Sequence, residues 1–68
     1  MKKAYVMNMA YQDKKGTCVY SAKKRGYEAF KNMLTKYFPS CDHKKAVERN
    51  ICFDGKGNYI EIVECEVL

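Results

Sequence analysis

The sequence predicts a two-layer α+β fold: an antiparallel four-stranded sheet in the order β-β-α-β-β, with one main helix packed on one face. Three observations predict it. Two extended segments, 4–11 and 17–20, flank a short polar turn early in the chain. A single helical stripe runs from Tyr27 to Phe38. A second pair of extended segments flanks a glycine-rich loop late in the chain. Antiparallel hairpins need one face buried, and an amphipathic helix is the simplest cover.

The first segment alternates. Tyr5, Met7, Met9 and Tyr11 share one face; Ala4, Val6, Asn8 and Ala10 share the other. Both faces accept cover, which suits a strand inside the sheet. Gln12 to Gly16 reads as a polar turn, and Thr17-Cys18-Val19-Tyr20 as the returning strand.

The helix is the clearest element. Tyr27, Phe30, Leu34, Tyr37 and Phe38 fall on one stripe with Met33 at its margin, while Glu28, Asn32, Thr35 and Lys36 lie opposite. Pro39 ends it, because the residue before proline avoids helical angles. Its start has two readings. Ser21 caps a helix from Ala22, with Gly26 inside at about 1 kcal/mol; or 22–26 is a loop and the helix begins near Gly26.

Asp42 is suited to cap a short helical turn through Lys44 to Arg49, with Asn50 ending it. Ile51-Cys52-Phe53 is a short strand, 54–58 a hairpin loop with Gly55 and Gly57, and Tyr59 to Leu68 the last strand. That strand changes phase. Ile60 and Ile62 share one face, but Val63, Cys65 and Val67 fall on the other. Strict alternation buries a glutamate, so a β-bulge near Ile62-Val63 is expected; a strand end leaving the sheet is the alternative.

Sixty-eight residues imply one small domain, 1–68, of modest stability or helped by self-association. The amino-terminal apolar run is short and interrupted by Asn8, so neither a signal peptide nor a membrane span is expected. A cytoplasmic setting follows, with Cys18, Cys41, Cys52 and Cys65 as reduced thiols.

The net charge of +5 is uneven. Residues 1–45 hold eleven Lys/Arg against three acids, and 46–68 hold two against five. Lys23, Lys24 and Arg25 stand where a strand hands over to the helix. Helix starts repel cations, and a bound anion would reverse the sign. Lys14, Lys15, Lys44 and Lys45 are candidates to extend the patch, and Tyr5, Tyr11, Tyr20 and Tyr59 to stack on bases if their face is uncovered. The competing reading is a solvated loop and a tyrosine core.

Catalytic and metal chemistry are poorly served. Cys41-x-His43 offers soft ligands, but no Cys-x₂-Cys pair exists, so no zinc or other cofactor is expected. Cys41 beside His43 lacks an orienting third group, because Asp42 is needed as a cap. Two function classes remain for a non-enzyme of this size. One is a binding protein that engages a polyanionic partner, nucleic acid or nucleoprotein, through the basic patch. The other is a protein-binding inhibitor or adaptor, of the kind phages and mobile elements direct at host enzymes or defence complexes, with homodimerisation as a variant. A bare sheet face rich in tyrosine and lysine favours the first; an apolar bare face favours the second.

Overall fold

The computed structural model describes residues 2–67. Its elements are β1 (Lys2–Tyr11), β2 (Lys14–Tyr20), α1 (Lys23–Tyr37), α2 (His43–Arg49), β3 (Ile51–Phe53) and β4 (Tyr59–Val67). The four strands form one antiparallel sheet in the order β2-β1-β4-β3. The class is α+β, with a second helix beside the main one. Leu68, expected in the last strand, lies outside the described residues.

β1 lies inside the sheet, paired with β2 and β4. Its large face carries Tyr5 and Met7 into the core beneath α1. The turn to β2 is tighter than expected. Tyr11 pairs with Lys14, leaving Gln12 and Asp13 as the turn, and Gly16 lies within β2 opposite Met9. Gln12 adopts φ 55°, the positive value that two-residue hairpins require. Its N–H donates to Asn58 Oδ1 at 2.7 Å, so one hairpin braces the other.

α1 starts at Lys23, with Ala22 in the capping position and no side-chain cap. Ser21 does not serve. The first helical bond runs from Gly26 N to Ala22 O at 3.1 Å. Gly26 therefore sits inside the helix, and its neighbours explain it. A Cβ there would lie 3.1 Å from Tyr5 Cβ and 3.2 Å from Ile62 Cδ1. Glycine lets the helix backbone descend onto β1 and β4. Below this contact Phe30 and Leu34 are fully buried, and Phe38 nearly so.

α2 follows the sequence closely. Asp42 accepts from Lys45 N at 3.2 Å, and Asn50 closes the helix with φ 62°. Asn50 is also a junction. Its side chain accepts from Tyr27 Oη at 2.8 Å, and its carbonyl accepts from Ile62 N at 2.9 Å. Helices and sheet are thus tied at one residue. In the β3–β4 loop, Asp54 accepts from the N–H groups of Lys56 and Asn58, and Gly55 and Gly57 take φ 77° and 90°.

The expected bulge is absent. β1 and β4 keep one register from Lys2↔Val67 to Ala10↔Tyr59. Ile60 and Ile62 face the helices, and so does Glu64. The glutamate is accommodated at the margin of the helix cover: Glu64 is exposed, 2.9 Å from Lys3 Nζ and 3.4 Å from Tyr5 Oη. Val63, Cys65 and Val67 consequently fall on the face that no helix covers.

Replacing Gly26 with valine is expected to lower stability by about 2–3 kcal/mol through overpacking. Gly16→Val, with open space around it, is expected to change little. Urea denaturation of both variants measures the difference.

Candidate functional site

The basic residues do not form one patch. Lys23, Lys24 and Arg25 are the first three residues of α1, with no acid in that turn. Lys23 is answered locally: its Nζ lies 5.9 Å from the centre of the Tyr27 ring, and its charge helps hold the Glu64 carboxyl low.

Lys24 and Lys31 turn to the groove between α1 and α2, which Lys23 and Lys44 also line. Its floor is Tyr27, Leu34 and Val47. Glu28 and Glu48 stand within the same groove, so its positive field is interrupted. Lys31 was not singled out from sequence; its place between two basic residues of different helices is visible only once the helices pack.

The other cations lie elsewhere. Lys45 and Arg49 border a hollow on the opposite flank of α2, beside Cys41, Ile51 and Phe53. Lys14 and Lys15 flank the β1–β2 turn. That turn is at the far end of α1, because Tyr11 packs on Tyr37 and Phe38 while Tyr5 meets Gly26. Six residues of strand separate the two ends by about 20 Å. Arg25 is exposed and lines neither groove.

The expected stacking tyrosines lie on the covered face. Tyr5 is 7% exposed, beneath α1. Tyr11 packs edge-on against Phe38, with centroids 5.8 Å apart, and Tyr20 packs against the core from the edge strand. Tyr5 is thus buried, and Tyr11 and Tyr20 are partly buried. Tyr59 alone of the four lies on the uncovered face, paired with Phe53.

Cys41 and His43 do not engage each other. Cys41 Sγ lies 3.6 Å from the Phe53 carbonyl oxygen, and His43 Nε2 lies 2.8 Å from that of Phe38. Burial, with Cys41 beside it, pushes the Cys52 thiol up to about 12, far from the range of a reactive thiolate. Among the described residues no three of His, Cys, Asp and Glu gather to hold a metal ion.

The feature that sequence reading underweighted is the uncovered sheet face. Cross-strand rows follow from the register. Val19, Val6 and Val63 form one; Ala4 and Cys65 the next; Ala10, Tyr59 and Phe53 another. Val19 is 66% exposed, Phe53 65%, Val67 46% and Val63 41%. One polar row crosses this surface. Thr17 Oγ1 donates to Asn8 Oδ1 at 2.8 Å, and Asn8 Nδ2 donates to Glu61 Oε1 at 3.3 Å. These groups satisfy one another sideways, within the plane of the face. The signal for this surface was the phase change in β4, read as a bulge that would hide the valines.

Against family models, curated proteins and solved structures the chain finds no match. Its functional reading therefore rests on its own residues.

The Lys3 hydrogen bond, then the Lys3 charge, hold the Glu64 carboxyl below its ordinary range. A depressed carboxyl adds stability that is complete above its unfolded pKa, about 4.3, and is lost as pH falls through the folded value. Stability measured across that acid window is expected to fall more steeply for the native chain than for Glu64→Gln. Equal slopes would exclude the contribution.

Proposed function

We propose that the protein is a small non-catalytic protein-binding module, an inhibitor or adaptor that acts by occupying a surface of its partner. One observation carries this reading: an uncovered sheet face whose exposed side chains include Val19, Phe53, Val63 and Val67. Single exposed apolar residues are ordinary, but a face that carries several of them in cross-strand rows, here on either side of one polar row, is of the kind that association sites use. Its area suits the purpose. Four strands about 4.8 Å apart, with nine or ten residues of about 3.3 Å each in the central pair, give a face on the order of 500 Å². Apolar burial at about 25 cal/mol per Å² favours covering its apolar rows, and the Glu61 carboxylate, bonded to Asn8 Nδ2 at 3.3 Å, sets a desolvation cost against it.

The test is a photo-crosslinking residue in place of Val63, in the full chain expressed in cells that make it. A discrete crosslinked product is expected, and none from the same residue in place of Lys36 on the solvent side of α1. Absence of any product from Val63 would overturn the reading.

A second reading has a specific observation in its favour: Lys23, Lys24 and Lys31 border one hollow and Lys31 and Lys44 the adjoining one, the two sharing Lys31 and Val47. A polyanion seated there would meet four cations. The log–log salt slope for a single-stranded oligonucleotide probe is then expected near −2.8, at about 0.7 per contact. Lys24→Ala with Lys31→Ala is expected to halve it. A flat salt dependence in the native chain would exclude this reading.

A further inference from the structure

We propose that Cys41 and Cys52 are a redox site: by exchange with a low-molecular-weight disulfide the two thiols close to an internal disulfide that ties the two ends of α2 together.

Their placement carries it. Cys41 lies in the connection from α1 to α2, where its N–H donates to the Phe38 carbonyl oxygen at 3.2 Å. Cys52 is the middle residue of β3, paired with Ile60 on the covered face. The fold brings both to one spot. Cys41 Sγ lies 3.6 Å from the Phe53 carbonyl oxygen, and Cys52 Sγ lies 3.9 Å from the same atom. Both line the hollow beside α2 that Lys45 and Arg49 also line. No third thiol of the described residues shares this place. Cys18 is on β2, the opposite edge of the sheet, three strand spacings or about 14 Å from β3. Cys65 is on the uncovered face.

The two thiols differ in access, and this orders the chemistry. Cys41 is half-buried and Cys52 buried. Burial, then its contact with Cys41, pushes the Cys52 thiol up to about 12, so it stays protonated at neutral pH and does not begin the exchange. Cys41 does. Its thiolate attacks one sulfur of the disulfide RS–SR; the Cys41–SR bond forms, the RS–SR bond breaks, and the released RS⁻ takes up the proton that Cys41 lost. Capping Cys41 removes its charge from beside Cys52, one of the causes that hold the second proton. Cys52 then gives up that proton and attacks Cys41 Sγ. The Cys41–SR bond breaks, and the second RS⁻ leaves as RSH. Two thiols are oxidised to one disulfide, and RS–SR is reduced to two RSH.

The bond staples α2. Cys41 precedes the capping residue Asp42, and Cys52 follows the closing residue Asn50, so the ring encloses the whole helix. Ala46 is the one residue that α2 buries, and the helix supplies Lys44, Val47 and Glu48 to the hollow it shares with α1. A crosslink across its ends restricts chiefly the opened chain, so oxidation holds that wall in place.

The test uses the full chain with the exposed Cys18 and Cys65 replaced (Cys18→Ser, Cys65→Ser), equilibrated in buffers of reduced and oxidised glutathione. Intact mass is expected to show one glutathione adduct that gives way to a chain lighter by two hydrogens. The equilibrium constant for closure is expected to be at least about tenfold larger in the folded chain than in the same chain in concentrated urea, because a preformed pair has the higher effective concentration. Adding Cys52→Ala is expected to leave the adduct on Cys41. The constant itself is measured with both thiols present, so it does not depend on that variant folding. An equal or smaller constant in the folded chain overturns the proposal, because the fold would then not favour the bond. So does a folded chain that keeps glutathione on Cys41, or on both thiols, across the whole range of buffers.

Discussion

Pairing of β1 with β4 is the constraint on which the rest of the structure depends. It joins residues as far apart as Lys2 and Val67, and closing so long a loop is entropically unfavourable before any contact offsets it. The two hairpins are local, but neither is stable alone in water. They become one sheet only when their inner strands meet, and the seal over that seam is α1. Gly26 allows the helix to approach Tyr5 and Ile62, one residue from each inner strand. Phe30, Leu34 and Phe38 then continue the contact along the seam. Strand pairing and helix docking are therefore mutually dependent, and disruption at Gly26 acts on both.

Much of this was legible in the residues. The helical stripe, the Asp42 and Asn50 ends of α2 and the glycine loop before β4 each depend on local chemistry within a few residues. What was not legible depended on distant neighbours. Gly26 looks like a defect until Tyr5 and Ile62 are beneath it. Glu64 looks misplaced on a core-facing position until Lys3 and Tyr5 are seen to reach it at the margin of the helix cover. The expected bulge came from requiring every apolar residue of β4 to face inward. Strand phase is a global property, because one residue of slip moves every side chain to the opposite face.

The basic start of α1 shows the same division between local rule and context. Three cations there oppose the helix dipole by about 0.3–1 kcal/mol each in isolation. Here Glu64 and the Tyr27 ring stand near Lys23, while Lys24 and Lys31 share a groove with Glu28 and Glu48. The packed core of α1 fixes the helix, so its first turn need not be electrostatically favourable. The charge asymmetry visible along the sequence is thereby divided among several surfaces, and the single anion seat that it suggested gives way to a groove of mixed sign.

The uncovered face follows from the size of the chain. A domain near 60 residues buries only about 60% of the surface its unfolded chain exposes, and both helices of this one are spent on the same side of the sheet. No helix is left for the other side, where β4 nonetheless places Val63, Cys65 and Val67 and β2 places Val19. Polar residues at those positions would have made a solvated outer face, as is common for antiparallel sheets. Thr17, Asn8 and Glu61 show that polar side chains are accepted there, and they bond to one another rather than standing free. Valines beside that row leave the core no better packed, since they point away from α1. Covering them would remove apolar surface from water, a stabilising contribution that the single chain leaves unrealised.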